Sequence, residues 1–252
     1  MLRGKRALIV GIANESSIAH GCAVAFAGAG AELGITYLNA KAEPHVRPLA
    51  EKLNATLIAP LNVEEPGEME ALFERVRTLW GGLDILVHSI AFAPREDLHG
   101  RLIDSSRAGF LRAMDVSVHS FLRMAGLAEP MMQHGGCMMT VSYYGAEKVV
   151  DHYNLMGPVK AALETACRYL SVELGPRRIR VFALSPGPIR TRAASGIDHF
   201  DELVDHAASK SPLSRLVTIE EVGQVATFLA SDAASGMTGS RVHIDAGVHV
   251  MS

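Results

Sequence analysis

Ala7-Leu8-Ile9-Val10-Gly11-Ile12-Ala13-Asn14-Glu15-Ser16-Ser17-Ile18-Ala19-His20-Gly21 is the stretch that decides the fold. It opens on an unbroken apolar run, Ala7–Val10, which fits a strand covered on both faces. Gly11 ends the run and allows the tight turn that leaves a strand. The alanine-rich stretch Ile18–Ala29 then reads as a helix stopped by Gly30. Ser17 sits where that helix begins, so its hydroxyl can cap the helix or reach an anion. Free N–H groups and the positive dipole end at such a helix start suit a pyrophosphate. The usual G-x-G-x-x-G is absent, because Gly11 and Gly21 lie too far apart. By spacing alone the segment is equally a plain strand, turn and serine-capped helix.

The same alternation continues outward. Leu33–Leu38 reads as a strand, Pro44–Leu53 as a helix, Thr56–Leu61 as extended, and Glu68–Trp80 as a helix ended by Gly81-Gly82. Asp84–Ile90 is a fourth, buried type of strand; a polar loop then runs through Arg107 to one long helix, Gly109–Gln133. Cys137–Ser142 and Ile179–Ser185 are strands around a helix over Tyr153–Leu174. A last helix, Ile219–Ala230, precedes a last strand, Arg241–Asp245. Repeated strand–helix units with right-handed crossovers give an α/β class, a Rossmann-type doubly wound parallel sheet of about seven strands with helices on both faces. With no linker or repeat, residues 1–252 read as a single dinucleotide-binding domain. The least regular stretch, Pro186–Ser211, is long enough to be a functional lid, placed near residues 190–211.

Composition narrows the partners. A net charge of -3 offers no basic field for nucleic acid or an anionic membrane. No run approaches the roughly 20 apolar residues needed to span a bilayer, and Ala7–Val10 is too short for a signal segment. Cys22, Cys137 and Cys167 are widely spaced, with no Cys/His cluster, so neither a metal site nor a disulfide framework is expected. They read as small core residues of a reduced, cytoplasmic protein.

Tyr153 and Lys160 lie seven residues apart, close to two helical turns, and so would share one face of the predicted helix. An adjacent ammonium is expected to lower the phenol's pKa and make it a better proton or hydrogen-bond donor. The same lysine can hold a ribose hydroxyl. Tyr143 follows the fifth strand directly, at the end of the sheet where ligands bind. The two tyrosines could converge on one carbonyl oxygen; equally, either could be a packing aromatic. The second strand ends Tyr37-Leu38-Asn39-Ala40, without an acid for the adenosine ribose, and Lys41 is the only nearby cation. A lone lysine clamps a 2′-phosphate poorly compared with a guanidinium, which favours NADH over NADPH.

Together these residues resemble the short-chain dehydrogenase/reductase superfamily, and within it the bacterial enoyl-acyl-carrier-protein reductases. The resemblance runs from Gly4 to the C-terminus. It is carried by Gly11-x5-Ser17-x-Ala19-x-Gly21, by Ser89-Ile90-Ala91-Phe92-Ala93-Pro94, by Tyr153-x6-Lys160, by Pro186-Gly-Pro-Ile-Arg-Thr-Arg-Ala-Ala-Ser-Gly196 and by Asp245-Ala-Gly247. Relatives that reduce ketones commonly have serine thirteen residues before the catalytic tyrosine; here that position is Thr140, while Tyr143 stands where enoyl reductases have it.

The resemblance implies that Tyr153 holds the thioester carbonyl, Lys160 the nicotinamide ribose, and that Tyr143 lines the acyl site. It assigns the dinucleotide to Gly11, Ser17, Ile18, Leu38, Asn62, Val63, Ser89, Ile90, Ala91, Ile189, Arg190, Thr191, Arg192 and Ala193, besides Lys160. The acyl pocket would take Ala93, Met156, Ile197 and Phe200. Leu38, Asn62 and Arg192 depart from the residues the family commonly has there. An acyl-carrier protein bearing an enoyl thioester is the implied partner, and a homotetramer the implied assembly. A 3-oxoacyl thioester or other carbonyl reductase, with Thr140 as hydroxyl donor, is the alternative enzyme. A non-catalytic dinucleotide-binding protein is the alternative of another class.

Overall fold

The computed structural model describes residues 1–191 and 200–251, without the side chains of Phe200, Asp201 and His206. Seven strands form one sheet: β1 (Arg6–Val10), β2 (Glu32–Tyr37), β3 (Leu57–Pro60), β4 (Ile85–His88), β5 (Gly136–Val141), β6 (Ile179–Pro186) and β7 (Arg241–Ile244). Their order is β3-β2-β1-β4-β5-β6-β7, and every neighbouring pair is parallel. Parallel pairing needs a crossover between strands, which is why the apolar runs alternate with helices. The strand order reverses between β1 and β4, which opens a crevice at the carboxyl ends of the strands.

Alternate strand residues feed two cores. Leu8, Val10, Leu86 and Met138 face the core covered by α3 (Glu68–Trp80), α6 (Ser120–Ala128) and α7 (Met156–Leu174). Ile9, Ile35, Val87 and Phe182 face the one covered by α1 (Ile18–Gly28), α2 (Glu43–Lys52) and α9 (Ile219–Ala230). α9 starts with a reciprocal cap: Thr218 accepts from the Glu221 amide while Glu221 accepts from the Thr218 amide.

The polar loop before residue 107 holds a short helix, α4 (Arg95–Leu98). Its buried Asp97 accepts from the Ser106 amide and, at 3.1 Å, from the Ser106 hydroxyl. The expected helix over Gly109–Gln133 is instead α5 (Arg107–Met114), a π-helical turn at Asp115–His119, and α6, followed by a 3-10 turn at Glu129–Met131. A π turn inserts an extra residue and re-aims the chain. It points Ser117 at the Phe92 backbone and Ser120 at His88. The apolar pattern runs through it on both sides, so periodicity alone does not show it.

Two further boundaries differ. α7 begins at Met156, not Tyr153, because His152 (φ 62°) and Asn154 (φ 35°) are left-handed and cannot continue a helix. The stretch after Pro186 contains α8 (Phe200–Lys210), with Val204 and Ala207 buried. Among the described residues no helix is long and apolar enough to cross a membrane.

Candidate active site

A cleft of about 370 Å³ lies where the strand order reverses. It is walled by the exits of β1, β4, β5 and β6 and by the start of α7. Gly11 turns out of β1 at φ 104°, and a Cβ there would sit 2.1 Å from the Ser89 carbonyl oxygen. Only glycine lets the β1 and β4 exits approach so closely. The Ser17 hydroxyl does not cap α1; it accepts from the Ala13 and Asn14 amides at 3.0 and 3.1 Å and thereby shapes the turn. The Ile18 and Ala19 amides, in the first turn of α1, have no partner among the described residues. They fit a phosphate, as helix-start amides do.

Lys160 is buried in α7 and donates to the Val141 carbonyl at 2.6 Å. An ammonium has three donors, so two remain for ribose hydroxyls among the described contacts. Burial pushes the Lys160 ammonium down to about 8, against the opposing pull of Glu164 and Cys167. Tyr143 and Tyr153 meet edge to face with centroids 4.9 Å apart. Neither phenolic hydroxyl has a protein partner among the described residues, and both rings line the cleft. The expected lowering of the Tyr153 pKa is not found. Burial, then the Tyr143 phenol and the Glu164 carboxylate, raise it well above the ordinary phenol value. Burial likewise raises Tyr143, with Tyr144 and Asp245 adding to it. Lys160 aims at the Val141 carbonyl, so Tyr153 is a neutral donor and not an incipient phenolate.

Two other hydroxyls near the cleft are already committed. Thr140 is fully buried and lies 2.9 Å from His88 Nδ1; Ser120 lies 2.8 Å from His88 Nε2. Ser120 donates to the Val116 carbonyl, so it accepts from Nε2–H and Thr140 donates to Nδ1. The Ser142 hydroxyl donates to Glu164 at 2.6 Å.

Burial, with the nearby Lys160 charge, depresses His88 from 6.5 to about 3. The unfolded chain therefore takes up this proton first as pH falls, and His88's contribution, full above pH 6.5, is lost progressively toward pH 3. Between pH 6.5 and 5 this costs on the order of 2 kcal/mol. Urea unfolding at those two pH values should show the loss in the wild type and not in His88→Gln. Identical pH slopes in the two proteins would contradict it.

Of the residues proposed from sequence, Gly11, Ser17, Ile18, Ser89, Ile90, Ala91, Ala93, Tyr143, Tyr153, Met156, Lys160, Ile189 and Thr191 line the cleft. Arg190 adjoins it in the chain. Arg192, Ala193 and Ile197 lie outside the described residues, as does the Phe200 side chain. Leu38, Asn62 and Val63 sit at the ends of β2 and β3, beyond the cleft lining; Leu38 is 54% exposed, Val63 is buried, and the Asn62 side chain accepts from the Glu64 amide. Lys41 is not the only cation near that end. Arg47 of α2 reaches Tyr37, although Glu43 holds it at 2.8 and 2.5 Å.

Sequence reasoning missed Phe92, Leu98, Ser142 and Leu203 as lining residues. Phe92 stood inside a quoted motif; for Leu203, the 3.6-residue apolar spacing of α8 was the available signal. A second cavity of about 360 Å³ shares Tyr143, Gly187, Pro188 and Leu203 with the first.

His243, Asp245 and His249, of which Asp245 also lines the second cavity, form the one His/Asp cluster with metal-ligand spacing among the described residues. The two imidazoles stack at 3.8 Å and 6°, so their in-plane lone pairs run in parallel planes and do not converge on one ion.

A parallel sheet reversing between β1 and β4, with a buried lysine and two tyrosines at the exit of β5, defines a dinucleotide-dependent reductase of the short-chain dehydrogenase/reductase class. The sequence pattern of the family described as enoyl-(acyl carrier protein) reductase matches residues 11–249. An NADH enoyl-acyl-carrier-protein reductase of Rhizobium meliloti is 46% identical over 251 residues, covering 100% of this chain and 92% of that protein. Another from Nostoc is 47% identical over 253 residues, covering 99% and 98%. The crystal structure of a reductase of the same name from Anaplasma phagocytophilum, in complex with NAD, matches with a TM-score of 0.96 at 45% identity, covering 100% and 96%. The chain belongs to the enoyl-acyl-carrier-protein reductase family.

Proposed function

We infer that this protein reduces the C2–C3 double bond of trans-2-enoyl thioesters with NADH in fatty acid elongation. The observation that carries the reading is the donor set of the cleft. Tyr143 and Tyr153 present unspent hydroxyls, whereas Thr140, the hydroxyl a carbonyl reductase would use, is bonded to His88, and the neighbouring Ser142 is bonded to Glu164. The relatives' printed names and the NAD in the related crystal structure support the same cofactor and reaction.

Gly11, the first turn of α1 and the wall from Ser89 to Ala91 would hold the dinucleotide, with Lys160 on its ribose. When bound, it supplies the hydride that reaches the substrate's β-carbon. Tyr153 donates a hydrogen bond to the thioester carbonyl, and that bond strengthens as the oxygen gains enolate charge. A raised phenol pKa keeps the proton on Tyr153, so the residue stabilises the oxyanion without surrendering its donor. Lys160 keeps its charge with the help of the Glu164 carboxylate, and, anchored on the Val141 carbonyl, orients what it holds. Tyr143 packs against the Tyr153 ring and limits how the acyl group can lie.

The segment near residues 190–211, including α8, would close over the acyl chain and exclude water. One dinucleotide-binding domain, a homotetrameric assembly, an acyl-carrier-protein partner and a cytoplasmic location complete the reading. The test is NADH and NADPH oxidation with crotonyl and 3-oxoacyl thioesters. NADH oxidation on the enoyl substrate alone is the expected result. Preference for the 3-oxoacyl substrate, or tight NADH binding with no turnover, overturns it.

A further inference from the structure

Lys160 is gripped together with the exit of β5 by residues the reaction itself does not use. Glu164 lies one helical turn after Lys160, so both project from the same face of α7. Lys160 holds the Val141 carbonyl at 2.6 Å, and Glu164 holds the Ser142 hydroxyl at 2.6 Å. These are consecutive residues, and the next one is Tyr143. The other Glu164 oxygen accepts from Arg241 of β7 at 2.9 Å, and Arg241 also donates to Glu147 at 2.6 Å. Glu147 ends the turn that carries Tyr144, its amide bonded to the Tyr144 carbonyl at 3.0 Å. Glu164 is only 5% exposed, so its charge acts through little water.

We propose that Glu164 is a positioning residue for the reduction: its buried carboxylate is the counter-charge of Lys160 and the anchor that sets Tyr143, with Arg241 balancing that charge from β7. The inference rests on the reductase reading above. A buried ammonium without an anion beside it loses its proton readily. A carboxylate shared with a guanidinium supplies less field than an unshared one. Glu164→Gln and Arg241→Gln should therefore move Lys160 in opposite directions.

The groups around Lys160 leave the reading clear. Cys167 and Glu164 face it from its own helix and His88 from β4, while Tyr153 and Tyr143 line the same cleft; Arg241 and Glu147 stand one contact further out. Burial holds Cys167 up at about 12 and His88 down at about 3, and both phenols lie above their ordinary range. Burial brings the Lys160 ammonium itself down to about 8, between those extremes.

The experiment is a pH profile of kcat/KM on crotonyl thioester for the wild type, Glu164→Gln, Glu164→Asp and Arg241→Gln. It is paired with a 13Cε-lysine NMR titration of each ligand-free protein. Glu164→Gln should move the alkaline limb and the Lys160 titration to lower pH by about one unit. Arg241→Gln should move both to higher pH, and Glu164→Asp should restore the limb toward the wild type. Equal loss of rate at every pH, with unmoved titrations, would mean Glu164 only supports the fold and overturns the proposal. So would shifts of the same sign in Glu164→Gln and Arg241→Gln. If Glu164→Gln does not fold, the upward shift in Arg241→Gln decides alone. Failure of the wild type to turn over any enoyl thioester would instead refute the reductase reading, and the NMR titrations would still test the pairing.

Discussion

Tyr153→Phe should lower kcat on an enoyl thioester by on the order of 100-fold while leaving the NADH Kd within about twofold. The hydroxyl has no protein partner among the described residues, so removing it strands no buried group. The ring does the packing. It meets Tyr143 at 4.9 Å, and the Gly145 backbone lies so close that a Cβ there would fall 2.5 Å from Tyr153 Cδ1. Phenylalanine keeps that surface, so the fold and the Lys160 contact with Val141 should persist. What disappears is one donor aimed at developing negative charge. Tyr143 remains beside it, so some enolate stabilisation survives. Steady-state kinetics and NADH fluorescence titration measure the two quantities separately. Turnover near the wild-type rate would remove Tyr153 from the mechanism; a large rise in Kd with unchanged kcat would make it a binding residue.

Gly21→Ala should destabilise the protein by about 3 kcal/mol, a fall in Tm on the order of 6–12 °C. A Cβ on Gly21 would lie 2.2 Å from the Ile219 carbonyl oxygen and 2.6 Å from its carbon. The contact is reciprocal, since a Cβ on Gly223 would lie 2.3 Å from the Gly21 carbonyl oxygen. Both obstacles are backbone, so no side chain can swing away, and α1 must part from α9. Gly28→Ala is the control. It sits in the last turn of the same helix with nothing within 4 Å of its Cβ, and should stabilise by about 0.5–1 kcal/mol through helix propensity. Thermal unfolding of the three proteins checks this. A Gly21→Ala protein that melts like the wild type but binds NADH poorly would return Gly21 to the phosphate loop.

That substitution shows where local pattern runs out. Gly11 and Gly21 stand in one quoted motif, yet Gly11 serves the crossing of β1 and β4 and Gly21 the crossing of α1 and α9. The partners Ser89, Ile219 and Gly223 are far away in the chain. Ser17 reads as a helix cap because caps are local, but its hydroxyl is taken by the Ala13 and Asn14 amides of the turn. Tyr153 and Lys160 line the same cleft but do not share a helix face as their spacing suggests: left-handed His152 and Asn154 place the tyrosine ahead of the helix.

Apolar periodicity and strand–helix alternation determined the doubly wound parallel sheet, because each strand must bury both faces under helices it is joined to. The run from Ser142 to Lys160 likewise brought the catalytic candidates to the end of β5, since strand and helix are neighbours in sequence. Tertiary structure alone decided what those residues can donate. Thr140 turns to His88, Ser142 to Glu164 and Lys160 to Val141, which leaves the two phenols as unspent donors. Hydroxyl protons and buried charges answer to whichever partner is closest in space, and burial strengthens that choice by removing water as a competitor. Such partners come from β4, β5 and α7, and no spacing along the chain encodes their distance.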